Sequence, residues 1–210
     1  MSQRKATFFT SDWHDGHHNS IEFDNRPFRD TDHMREALIR NYNSCVPNDG
    51  IGYFLGDIGI SSTEYLKKTI ERLNGTKVLI LGNHDKGHSA MYNCGFDVVL
   101  NGAVLYISGQ RVTLSHCPLM GVYRENLDHI PEHKKVEGAN WHGEHKNKAY
   151  SFEDEGQFHL HGHIHARKDT PHKLIIDGRQ MDVGVPAHKY RPVHIGVIES
   201  WISKTLKDEK

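Results

Sequence analysis

Apolar runs of strand length recur along this chain, and five of them end abruptly in side chains that can bind a metal or move a proton. Ala6 to Thr10 ends at Ser11-Asp12-Trp13-His14, and Ile51 to Leu55 ends at Gly56-Asp57. Lys77 to Leu81 ends at Gly82-Asn83-His84-Asp85, Arg111 to Leu114 at Ser115-His116, and Phe158 to His161 at Gly162-His163-Ile164-His165. A strand delivers whatever follows it to one edge of its sheet, so this repetition restricts the fold to sheets whose strand ends meet. Between the first three runs the pattern is helical. Met34, Leu38 and Tyr42 recur at intervals of four on a segment that Thr31 could cap, and Leu66, Ile70 and Leu73 follow Ser61-x-x-Glu64, which reads as a capping box. Strand, helix and strand in alternation, with polar clusters at the carboxyl ends, predict a parallel sheet with a site at that edge.

Beyond about residue 95 the strands shorten. Asn101-Gly102 predicts a hairpin between Val98–Leu100 and Ala103–Ile107, and Asp177-Gly178 another between Leu174–Ile176 and Gln180–Val183. Val197 to Leu206 reads as a closing helix, and residues 20 to 31 as a loop. Residues 121 to 157 are polar and without period, which for so long a connection suggests a lid over the site or a disordered segment. With 210 residues, 36% hydrophobic and 25% charged, the chain is read as a single domain, 1 to 210, carrying this insertion.

Composition excludes several classes. A net charge of -1 gives no general attraction to nucleic acid or anionic membranes. Three cysteines, Cys45, Cys94 and Cys117, make neither a disulfide framework nor a Cys-x-x-Cys zinc pair. No apolar run reaches membrane-spanning length, and the N-terminus lacks an apolar signal core, so the expectation is a cytoplasmic protein with no membrane partner. The unusual count is histidine, with 18 copies. Carboxylate, imidazole and amide donors without thiolate suit Mn, Fe, Ni or Zn. They are too many for one ion, and two ions about 3.5 to 4 Å apart sharing a carboxylate would form a clamp for phosphoryl displacement.

These five motifs, in this order, resemble the calcineurin-like metallophosphoesterase superfamily. The further elements Asp12-x-His14-x-Gly16-His17-x-Asn19, Arg26-Pro27-Phe28 and Asp182-Val183-Gly184-Val185 are similar to a small subgroup found in bacteria and their phages, although Asp182 stands where that subgroup more often has Asn. The resemblance implies an α/β fold, a four-layer α/β/β/α sandwich of two mixed sheets flanked by helices. It also implies two divalent ions, Mn first, with Fe, Ni, Zn or Mg as alternatives. Asp12, His14 and His165 would hold one ion, Asn83, His116 and His163 the other, and Asp57 would bridge them.

His84 matches the residue that protonates the leaving oxygen, and Asp85 either orients it or caps the next turn. The nucleophile would be a metal-bridging hydroxide. The implied activity is hydrolysis of phosphodiesters in a nucleotide, a cyclic nucleotide or a nucleic-acid end, in the host cytoplasm if the protein is phage-encoded. A phosphomonoesterase is the alternative, and a non-catalytic scaffold a more distant one. The Ser/Thr phosphatase motifs carry arginines absent from Gly56-Asp57-Ile58-Gly59-Ile60 and Leu81-Gly82-Asn83-His84-Asp85, which argues against a protein phosphatase. His17 and Arg26, with Arg124 and Trp141 of the insertion, are the candidate substrate contacts. The basic residues of the insertion are opposed by more acidic ones, so a small nucleotide or short single-stranded end fits better than long duplex DNA.

Overall fold

The computed structural model describes residues 5–120, 148–167, 169–170 and 173–209. Two five-stranded mixed sheets form the body. The first has the order β10-β1-β2-β3-β4, from β1 (Thr7–Thr10), β2 (Ile51–Phe54), β3 (Thr76–Ile80), β4 (Val98–Leu100) and β10 (Val193–His194). Its first four strands run parallel, and only β10 opposes them. The second has the order β5-β6-β7-β9-β8, from β5 (Ala103–Ile107), β6 (Gln110–Leu114), β7 (Phe158–His161), β8 (Ile175–Ile176) and β9 (Gln180–Asp182). Here β6, β7 and β9 are parallel between antiparallel edges.

Alternation along each strand splits the apolar side chains into two cores. Phe9, Leu55 and Ile80 of the first sheet meet Val112, Leu114, Phe158 and Leu160 of the second, joined by Ile195, Ile198 and Ile202 of α5 (Ile195–Asp208). Phe8, Phe54 and Leu79 point the other way, beneath α2 (Thr31–Asn43), α3 (Thr63–Ile70) and α4 (His88–Asn93). As the fourfold spacing predicts, Met34, Leu38 and Tyr42 are the buried face of α2. Among the described residues no helix is long and apolar enough to cross a membrane.

Several local readings change. Asp30, not Thr31, caps α2 by accepting from the His33 amide, and Ser62, not Ser61, caps α3 by accepting from Tyr65. In both cases the neighbouring residue has the extended backbone a cap requires. Residues 20 to 31 are not all loop, because α1 (His18–Phe23) forms over their first part and buries Ser20 and Ile21. Asn101-Gly102 does not close a hairpin. There the chain leaves β4, paired with β3, and enters β5, paired with β6, so long-range pairing overrides the local turn preference. The true hairpin turn is Ser108-Gly109, with both φ angles positive at 52° and 76°. Asp177-Gly178 closes β8 onto β9 as read.

Part of the 121 to 157 segment is attached to the body. The Cys117 and Met120 amides donate to the Tyr150 and Phe152 carbonyls at 2.8 and 2.9 Å. Arg124 and Trp141 lie outside the described residues.

Candidate metal centre

The carboxyl ends of β1, β2 and β3 in one sheet and of β6 and β7 in the other converge. The Val185 amide donates to Ser11 O at 3.0 Å across the seam between the sheets, and within the second sheet the Gly162 amide donates to His116 O at 2.9 Å. Two donor groups result. In the first, His14 Nε2 lies 3.0 Å from His165 Nε2, which lies 3.4 Å from Asp12 Oδ1. In the second, His116 Nε2 lies 3.0 Å from Asn83 Oδ1 and 3.2 Å from His163 Nδ1. Asp57 stands between them, with Oδ2 3.7 Å from His14 Nε2 and 3.4 Å from His116 Nε2.

These spacings fit cations. Ligand bonds of about 2.1 Å place neighbouring donors roughly 3.0 Å apart at a right angle and about 3.4 Å apart at the tetrahedral angle. Asp12, His14 and His165 form one group able to hold an ion, and Asp12, Asp57 and His116 another. Cys117 lies close to His116 and His163, and in the metal-free protein burial pushes its thiol well above the ordinary range.

Outer partners fix the tautomers. His116 Nδ1 donates to Leu55 O at 2.8 Å, and His165 Nδ1 to Asp24 Oδ1 at 2.9 Å, leaving each Nε2 for the centre. Burial works against ionising Asp12, yet the His165 charge and hydrogen bond hold its carboxyl well below the usual range. Asp57 is held low by His116 in the same way. Reciprocally, and against burial, Asp57 raises His116 to about 9, while Asp12 and Asp24 raise His165 to about 10. Burial lowers His14 to about 3 and keeps it neutral.

The backbone is strained at the same place. Asp12, His14, Asp57, His163 and His165 have φ between 48° and 71°, the left-handed region that side chains disfavour. Gly56, at φ 87°, is needed for close approach as well: a Cβ there would stand 2.5 Å from His116 Nδ1 and 2.7 Å from Gly82 Cα.

The other candidate residues take different places. His84 is half-exposed beside the centre, its ring 5.7 Å from that of His14 and its amide donating to Asp57 Oδ1 at 3.0 Å. Asp85 is not seen orienting the His84 ring. Its carboxylate accepts from the Asp57, Ile58 and Gly82 amides at 2.8 to 2.9 Å, cross-bracing two ligand loops, while burial and the Asp57 charge push its carboxyl up to about 7. His17 sits at the rim, its ring 5.7 Å from that of His14.

Arg26 cannot serve as a substrate contact. Its side chain is fully buried and donates to Asp24 at 2.7 and 3.0 Å and to the Trp13 and Asp12 carbonyls. His159 is buried on the outer face of β7, bonded to Thr113 Oγ1 at 2.8 Å and to Cys117 O at 3.0 Å. His188 is partly buried and donates to Asp182 O at 2.8 Å. Asp182 accepts from the Ala166 and Gly184 amides, bracing the loop of His165. Sequence reasoning missed Asp24, which is 141 positions from His165 and has no motif spacing to betray it.

Fold and centre together define an α/β protein of two mixed sheets flanked by helices, with a His/Asp/Asn group suited to metal ions at the strand ends. The chain is 30% identical over 207 residues to the uncharacterized protein MJ1445 of Methanocaldococcus jannaschii, covering 97% of this chain and 94% of that one, and it belongs to the same family. It is also 29% identical to the Gene 66 proteins of Mycobacterium phages L5 and D29, over 184 and 197 residues. These matches cover 86% of this chain and 86% and 87% of the phage proteins. No protein-family model matches the chain. Among solved structures, a protein of unknown function from Aquifex aeolicus, AQ665, shares the fold, with TM-score 0.66 and 22% identity across 94% of this chain and 99% of that one.

Proposed function

We propose that this protein is a two-metal phosphodiesterase of the calcineurin-like type, acting on a nucleotide, a cyclic nucleotide or a nucleic-acid end. The observation that carries this reading is the place of Asp57 Oδ2, within 3.7 Å of a donor nitrogen in each group, so that one carboxylate serves both. Asp12, His14 and His165 would hold one divalent ion and Asn83, His116 and His163 the other. Bound there, two such ions neutralise phosphate charge and activate water as the nucleophile.

The chain's own side chains supply the rest. His84 is half-exposed on the open side and hydrogen-bonded through its backbone to Asp57, so its ring can reach the leaving oxygen and donate a proton. Asp85 holds the Asp57 and Gly82 loops at a fixed separation through three backbone amides. Arg26 supports the diester over the monoester reading. Its guanidinium is consumed by Asp24 and two carbonyls, so it does not offer the fork that would bind a phosphomonoester dianion.

The test is hydrolysis of bis(p-nitrophenyl) phosphate against p-nitrophenyl phosphate with added Mn, Ni, Zn or Mg. Turnover of the diester with at least tenfold higher kcat/KM than the monoester is expected. Faster monoester turnover would transfer the assignment to a phosphomonoesterase, and turnover of neither would remove it.

A further inference from the structure

Among the described residues, ten that are not glycine have positive φ. Five belong to the metal centre, and Ser108 and Asp177 sit in the tight turns of hairpins. Of the remaining three, Asn25 ends α1 in a left-handed turn, its amide donating to Glu22 O and that of Arg26 to Ile21 O, while the adjacent Lys189 and Tyr190 lie in the turn after β9; Asn25 and Tyr190, distant in sequence, line the same cavity. This cavity has a volume of about 480 Å³ and is walled by Asp24, Asn25, Arg167, Asp169, Pro186 and Tyr190.

The cavity adjoins the centre. Asp24, in its wall, bonds to His165, and Arg167 follows His165 by two residues. Its chemistry disfavours a phosphate. Asp24 is matched by Arg26 and His165, and Arg167 is held at Nε and Nη2 by Asp169 at 3.0 and 3.2 Å and at Nη1 by the Phe23 carbonyl. The charges in the wall are therefore already paired. What it does offer is flat surface: the fixed guanidinium plane, the Pro186 ring and the Tyr190 ring, itself propped edge-on against Phe28 at 4.7 Å. The exposed Asn25 amide adds a donor and an acceptor at the rim. Planar faces with a few polar groups at the edge are what a nucleobase stacks on.

The geometry points to this cavity as a nucleobase subsite that selects nucleotide substrates for the adjoining metal centre. The inference rests on the phosphodiesterase reading for its purpose but not for its test, which measures binding. Calorimetric titration of the full chain with AMP, GMP and ribose 5-phosphate should show at least one mononucleotide bound tenfold or more tighter than the sugar phosphate. Arg167→Ala removes a stacking face, and Asn25→Gly removes the edge amide at a φ of 50° that glycine adopts freely.

Each variant, checked for an unchanged melting temperature, should reduce the preference for the mononucleotide to under threefold. Equal affinity for nucleotides and ribose 5-phosphate, no binding of either, or an undiminished preference in both folded variants overturns the subsite. Failure of the phosphodiesterase reading is seen separately, as a base preference in a protein that leaves bis(p-nitrophenyl) phosphate intact.

Discussion

Asp24→Asn tests how far the centre depends on a residue outside the ligand set. The wild-type carboxylate accepts on both oxygens, Oδ2 from Arg26 at 2.7 and 3.0 Å and Oδ1 from His165 at 2.9 Å. An amide has only one oxygen. If that oxygen faces Arg26, the NH2 group faces His165 Nδ1, which must then accept, placing the imidazole proton on Nε2, where the metal needs a lone pair. If it faces His165, the NH2 group meets a guanidinium. Either way a buried Arg26, with no exposed side-chain surface, loses its counter-charge, for which breaking a buried pair costs about 3 to 5 kcal/mol. Urea unfolding of the metal-free variant should show that loss in midpoint with an unchanged m value. Calorimetric Mn titration should show affinity at the His165 site lowered roughly 10- to 100-fold. A stability loss below about 1 kcal/mol together with Mn affinity within twofold of wild type would refute the coupling of Arg26, Asp24 and His165.

Three further outcomes are expected. In the metal-free protein, His165 and His116 titrate near 10 and 9 rather than the unfolded value of about 6.5, so their ion pairs stabilise fully below pH 6.5 and are lost as pH rises through 9 and 10. His159 and His14, lowered to about 4 and 3 by burial, add an acid limb, with stability lost as pH falls from about 6.5 through 4 and 3, partly offset by Asp85, raised to about 7, whose contribution is lost as pH rises from about 3.9 through 7. Urea midpoints against pH should therefore peak between these limbs, and Mn binding at pH 7 should release protons, seen as a buffer-dependent binding enthalpy. A flat profile without proton release would contradict the ion-pair network.

His84→Ala should leave metal content unchanged while slowing diesters with poor leaving groups by roughly 10² to 10⁴, and nitrophenyl esters less. Equal losses for both leaving groups would remove the acid role. Gly162→Ala would place a Cβ over Ser11 Oγ and Asp12 Oδ2, so metal loss and about 1 to 3 kcal/mol of destabilisation are expected in the same titration and unfolding measurements. An alanine variant with full metal content would show that Asp12 can move aside.

The sequence displayed the candidate ligands because each follows an apolar strand within a few residues. Local pattern marks Asp12, His14, Asp57, Asn83, His116, His163 and His165 at strand ends, the family resemblance divides them between two ions, and the structure brings the side chains together. It displayed less where the reason is tertiary. Asp24 and Arg26 acquire their roles from a histidine and from carbonyls of a different segment, so Arg26 invited a substrate role that burial excludes. Asn101-Gly102 has hairpin chemistry, but β4 is claimed by β3 and β5 by β6, a choice made by long-range pairing. The cap at Asp30 lies one residue from the expected position, where local preferences are nearly degenerate, and α1, read from the sequence as loop, is a helix of only six residues.

The central claim is that seven strand-end residues hold two metal ions with one carboxylate between them. Anomalous diffraction from Mn-loaded crystals at the Mn absorption edge addresses it directly. Two peaks about 3.5 to 4 Å apart are expected, one beside Asp12, His14 and His165, the other beside Asn83, His116 and His163, with Asp57 touching both. A single peak, or two peaks that Asp57 does not join, would contradict it.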